Sequence, residues 1–212
     1  MQDLFKTDLK FDWKVVTITI VSTLVLMVDS YFRITEKWIG GVWWKAADRT
    51  ILYFIIPMLF ILVVFRENPR EYGFTLGDWR AGLVITIGAV IIIAPILWLV
   101  VHFSTGMQDY YRPSLSGLPW STFADLFGWE FIFRGWILFG YTRRFGPEAL
   151  WLQAVPFALA HIGKDPVETL STIFGGFLFG WVAYRTKSFV YPFLIHWFVA
   201  SFTIIVAAGL LG

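Results

Sequence analysis

The 212-residue chain contains no cysteine, which removes disulfides, thiolate nucleophiles and cysteine-ligated zinc together. Charge is also scarce. Asp, Glu, Lys and Arg make up 15% of the residues, against roughly 25% in an average soluble domain. The formal charge of +2 and the scatter of basic residues through the loops give no footprint for a nucleic-acid partner. No small-residue cleavage pattern follows the first apolar run, and "MQDLFKTDLKFDWK" (1–14) carries three aspartates. That run therefore reads as a retained helix and not as a cleaved leader.

What remains is apolar: 58% hydrophobic residues, 20% aromatic, and a mean hydropathy of +0.67. A soluble chain of this composition would lack the polar surface to cover itself. Several uninterrupted runs reach the roughly 17–25 residues that cross a bilayer. The expected fold class is all-α: a polytopic transmembrane helix bundle in contact with membrane lipid. About seven spans are expected, near 13–32, 50–65, 81–103, 120–142, 149–163, 167–185 and 189–211. Trp13, Trp43, Trp44, Trp79, Trp120 and Trp151 lie near span ends, where indoles favour the headgroup level. The polar stretch 104–117 reads as a loop. Gly176 and Gly180 stand at GxxxG spacing, which lets another helix approach closely. Pro57, Pro95, Pro156 and Pro192 fall inside spans, and a kink at Pro156 or Pro192 would aim His161 or His196.

With seven spans, Lys6, Lys10, Lys14, Arg66, Arg70, Arg80, Arg143, Arg144, Arg185 and Lys187 share the N-terminal side. Arg33, Lys37, Lys45, Arg49, Arg112 and Lys164 occupy the other. This bias favours a cytoplasmic N-terminus.

An ionisable group at mid-membrane costs roughly 2.5–3.5 kcal/mol on insertion scales and marks a functional site by default. "GWEFIFRG" (128–135) places Glu130 and Arg134 four residues apart, on one helix face and within pairing reach. His161 in "FALAH" and His196 in "PFLIHWFVA" follow on later spans, so four consecutive helices can bring Glu130, Arg134, His161 and His196 to one interior point. His102, beside "FSTG", reads as interfacial. A carboxylate with two imidazoles suits three chemistries. One is hydrolysis by an activated water with an imidazole donor to the oxyanion. The second is a zinc site of Glu130, His161 and His196, although the HExxH signature is absent. The third is a proton relay in a transporter.

The series "WEFIFRG", "FALAH" and "PFLIHW" resembles the CPBP family of intramembrane proteases. These are the CAAX prenyl endopeptidases and their bacterial relatives linked to bacteriocin immunity, with the pattern EExxxR, FxxxH and HxxxN. The resemblance covers roughly residues 118–205, and "REYGFTLGDWRAGL" (70–83) is similar to the lead-in of bacterial members. It implies N-terminal helices over 1–117 and a four-helix catalytic-type core over 118–212, in one integrated membrane domain. It also implies a multi-pass protein of a bacterial cytoplasmic membrane that cleaves a membrane-associated, possibly prenylated, protein or peptide. Older accounts of the family assign a metalloprotease, with zinc. A glutamate-dependent mechanism requires no cofactor.

By this resemblance Glu130, His161 and His196 are the catalytic residues, with Arg134 and Phe157 in support. Two positions depart from the pattern. Trp129 replaces the first Glu, and Ala200 replaces the polar residue after the last histidine. An indole accepts no proton, and a methyl group donates none. Glu130 on a rotated helix, or Asp125 one turn earlier, would restore the carboxylate. Ser201 would restore the donor. Otherwise the site is silent and serves binding or immunity.

Overall fold

A computed structural model describes residues 9–211; Lys6 and the first two aspartates of the N-terminal stretch lie outside them. Eight helices form the molecule among the described residues, labelled here α1 to α8, with short 3-10 turns between some of them. The helix α1 is Trp13–Tyr31, and Asp12 caps it by accepting from the Lys14 and Val15 amides. Next, α2 runs over Trp43–Phe65, seven residues earlier than the hydropathy run indicates. The extra turns carry Asp48 and Arg49, whose charges are absorbed by partners. Asp48 is buried and accepts from the Ile34 and Thr35 amides, both at 2.9 Å. Pro57 has no amide proton to give, and π-helical segments flank it at Thr50–Ile55 and Phe60–Phe65.

After a 3-10 turn at Pro69–Tyr72 comes α3 (Trp79–Phe103), capped by Asp78. Gly77 enters it at φ +49°, where a Cβ would stand 2.0 Å from the Thr186 carbonyl oxygen. Only glycine permits this approach, by which the Asp78 amide donates to that carbonyl. The polar stretch expected to be a loop is instead a short helix, α4 (Thr105–Tyr111), and a 3-10 turn, Arg112–Gly117. Ser104 caps α4 through the Met107 amide.

Residues 120–145 form one continuous helix, α5, made of α-helical Trp120–Glu130, π-helical Phe131–Ile137 and α-helical Leu138–Phe145. It is the centre of the bundle, and every side chain from Gly128 to Gly140 is buried. Trp136 stacks between Phe65 and Tyr72, and its indole donates to Ser22. Then follow α6 (Ala149–Leu159), α7 (Pro166–Thr186) and α8 (Val190–Ala207). Five helices are long and apolar enough to cross a membrane: α1, α2, α3, α7 and α8. The other two expected spans are helical but differ in kind. The α5 helix carries Asp125, Glu130 and Arg134 through its middle, and α6 is only 11 residues long.

Gly176 and Gly180 do what their spacing indicates. A Cβ on either would meet Phe157, Ala154 or Gln153 of α6 within 3.1 Å, so the two backbones close together. Gln153 seals the contact by donating to the Gly176 carbonyl at 2.7 Å. Pro192 does not kink its helix. It is the third residue of α8, where the amide would have no intrahelical partner anyway. At one end of the bundle Glu67 binds Lys14, Arg143 and the Tyr72 hydroxyl. Asp78 pairs with Arg185 at the start of α3 and the end of α7.

Candidate active site

Glu130 and Arg134 are both fully buried, and the pair meets as the spacing indicates, with Arg134 Nη1 donating to Glu130 Oε1 at 3.1 Å. The guanidinium also donates to the Gly176 carbonyl at 3.4 Å and lies 4.0 Å over the Phe157 ring. His196 joins from α8: its Nδ1 is 2.6 Å from the same Glu130 oxygen. A carboxylate accepts at this contact, so His196 presents Nε2 away from Glu130.

His161 lies two residues past Leu159, the last residue of α6, in the connection to α7, and its amide still donates to the Ala158 carbonyl at 3.0 Å. Its Nδ1 is 2.8 Å from the Phe157 carbonyl oxygen. A carbonyl only accepts, so Nδ1 carries the hydrogen and Nε2 keeps a lone pair. The Thr169 hydroxyl donates to the His161 carbonyl at 2.9 Å and pins the turn from α7. The ring packs on Phe157 at 4.6 Å and stands edge-on to Trp129 at 5.5 Å. No extension of α6 is needed to bring His161 inward, because the turn itself lines the cavity.

That cavity has a volume of about 1160 Å³ and takes both imidazoles into its wall, along with Trp129, Phe157, Asp125 and Ala200. Glu130 and Arg134 do not line it. Glu130 has not rotated into its neighbour's place: Trp129 faces the cavity, and Glu130 stands behind His196. Ser201 does not line the cavity either; its hydroxyl lies 3.3 Å from that of Thr122. Asp125 does reach the cavity but is bound there, accepting from Arg49 Nη1 at 2.8 Å. The Arg49 guanidinium covers the Trp129 ring at 4.2 Å and reaches Asp29, which also accepts from the Tyr53 hydroxyl. His102 is exposed, stacked on Trp98 away from the cavity, as its setting indicates.

Arg49, Asp29 and Lys45 escape the sequence reading. Lys45 and Arg49 count there only as loop charges, because the apolar run begins at residue 50. The cavity rim is closed by a second cluster: Tyr111 donates to Glu168 at 2.6 Å, and Lys164 donates to both. Burial, then the Glu168 carboxylate, pushes the Tyr111 hydroxyl well above its ordinary pKa, so it stays a donor.

Among the described residues no group of three histidine or carboxylate side chains is placed to hold a metal ion. The donor chemistry agrees. Glu130 Oε1 is shared by two donors, and Oε2 is sealed without a partner. Glu130, His161 and His196 thus do not fit zinc as a ligand set.

Residues 113–202 match the family model described as type II CAAX prenyl endopeptidase Rce1-like. The match spans under half of the chain and takes in α5 to the middle of α8, with Glu130, Arg134, His161 and His196. Comparisons with curated proteins and with solved structures give no match.

Proposed function

We propose that the chain is an intramembrane endopeptidase that hydrolyses a peptide bond of a membrane-associated protein or peptide. The observation that carries this reading is the 2.6 Å contact between Glu130 and His196 Nδ1 behind a cavity that His161 also lines. A buried carboxylate behind an imidazole fixes its tautomer and stabilises the imidazolium once the ring takes a proton. Here the attacking group is water. It donates one hydrogen to His196 Nε2 and is oriented by the lone pair on His161 Nε2. As its oxygen bonds to the scissile carbonyl carbon, the proton passes to His196 Nε2. The imidazolium, held by Glu130, returns that proton to the amine nitrogen as the C–N bond breaks. Glu130 therefore acts through His196 and is a positioning residue. Arg134 pairs with the same carboxylate oxygen at 3.1 Å.

One observation favours a second reading, a silent site that binds peptide, as in bacteriocin immunity. Trp129 and Ala200 line the cavity where the family pattern has polar groups. A membrane-anchored reporter protein and its cleavage products, followed in proteoliposomes, separate the two. Wild type is expected to cut it, with His161→Ala and His196→Ala folded but inactive. Unchanged cutting by both variants excludes the hydrolase. Reporter bound but uncut by the wild type supports the silent site.

A further inference from the structure

His161 packs on two aromatic rings, and each ring is covered by a guanidinium. Phe157, at 4.6 Å, has Arg134 over it at 4.0 Å; Trp129, at 5.5 Å, has Arg49 over it at 4.2 Å. Carboxylates hold both cations in turn: Glu130 holds Arg134, and Asp29 with Asp125 holds Arg49. The first assembly is made of motif residues. The second is built from α1, α2 and α5, around the residue that departs from the family pattern. Tyr53 and Phe133 pack on the same indole, at 5.7 and 5.2 Å. Trp129 is buried, and its Nε1 has no hydrogen-bond partner among the described residues. A buried indole usually finds an acceptor; this one serves through its ring and not through its N–H group.

We propose that Trp129, clamped by Arg49, is a positioning residue that fixes the plane of the His161 ring. The inference rests on the hydrolase reading for the water that His161 orients. His161 sits in a turn, where the backbone restrains a side chain less than a helix does. The Phe157 carbonyl, 2.8 Å from Nδ1, pins one corner of the imidazole but leaves the ring free to tilt about that contact. A flat wall beside it removes the tilt. The wall itself is held, because the planar Arg49 guanidinium stacks on the indole. Asp29 at 3.4 Å and Asp125 at 2.8 Å occupy its fork and keep its plane on the ring. A carboxylate at position 129 could take a proton; an indole cannot. Its contribution is to hold the imidazole whose Nε2 lone pair meets the water.

The test uses the full chain in nanodiscs with its three histidines isotopically labelled, read at neutral pH by proton–nitrogen correlation of the ring nitrogens. His161→Gln assigns the signals. In the wild type His161 is expected to show one protonated and one bare nitrogen, set well apart. Trp129→Leu should bring the two toward a common averaged shift, as the freed ring exchanges tautomers, while the His196 signals stay in place. Trp129→Phe restores a flat wall and should restore the separation. Arg49→Gln is a second route to the same loss should Trp129→Leu not fold. An unchanged His161 pair in a folded Trp129→Leu or Arg49→Gln variant overturns the proposal. So does a change that His196 shares equally, which reports general loosening. In the reporter assay kcat is expected to fall about 10²-fold in Trp129→Leu with KM unchanged. A wild type that cuts nothing ends the hydrolase reading and leaves the nitrogen shifts to be read.

Discussion

At the scale of single residues, Glu130 holds two cationic or donor partners on one oxygen in a fully buried setting. Removing one member of such a group strands the others away from water, which costs about 3–5 kcal/mol. Glu130→Ala is therefore expected to lower the unfolding free energy by about that amount in detergent, measured by denaturant titration. Glu130→Gln keeps the shape but not the charge, so it should retain more stability while cleavage falls about 10²–10⁴-fold. A Gln variant as active as wild type would remove Glu130 from the mechanism. The residues that sequence exposes here, Glu130, Arg134, His161 and His196, stand out because polar groups are conspicuous in apolar helices. Arg49 and Lys45 have no such contrast. They lie beside a span end, where charge is ordinary, and only the packing of α2 against α5 brings them to the cavity.

Among elements, the joint between α6 and α7 does most to place the site, since the turn between them carries His161 and Gly176 accepts from Arg134. A Cβ at Gly180 would lie 2.5 Å from Gln153 Nε2. Gly180→Leu should force the helices apart and cost about 1–3 kcal/mol, read as a lowered midpoint in a thermal unfolding scan. Gly88→Ala in α3 is the control: a Cβ there meets nothing within 4 Å, so the midpoint should hold. Equal effects would mean that the GxxxG pair is not a packing device. The GxxxG spacing is legible in sequence; its partner helix is not. The π-helical segment Phe131–Ile137, which carries Arg134 within the pattern-matching stretch, is likewise invisible to a hydropathy pattern, because it changes the hydrogen-bond partner and not the residue type.

Over the whole molecule, the cavity is lined by the end of α1, the start of α2, α4, the first half of α5, the α6–α7 turn, the first turns of α7 and the later turns of α8. Lys14, Glu67 and Arg143 gather at the opposite end. If the N-terminal side is cytoplasmic, as the basic residues favour, the cavity opens outward. The lack of native cysteine makes this directly measurable. Ser116→Cys, near the cavity, is expected to react with a membrane-impermeant maleimide on intact cells, and Arg144→Cys only after permeabilisation. The reverse pattern would turn the cavity to the cytoplasm.

Composition and run length by themselves determined an all-helical membrane protein, because a bilayer admits few other ways to satisfy an apolar chain's backbone. Motif spacing determined which polar residues share the interior. Only tertiary structure decided how they face one another and the cavity. Side-chain direction around α5 sets Trp129 toward the cavity and Glu130 behind His196, and the meeting of α2 with α5 ties Asp125 to Arg49. Those outcomes depend on how helices rotate and dock against one another, a geometry that residues adjacent in sequence do not encode locally.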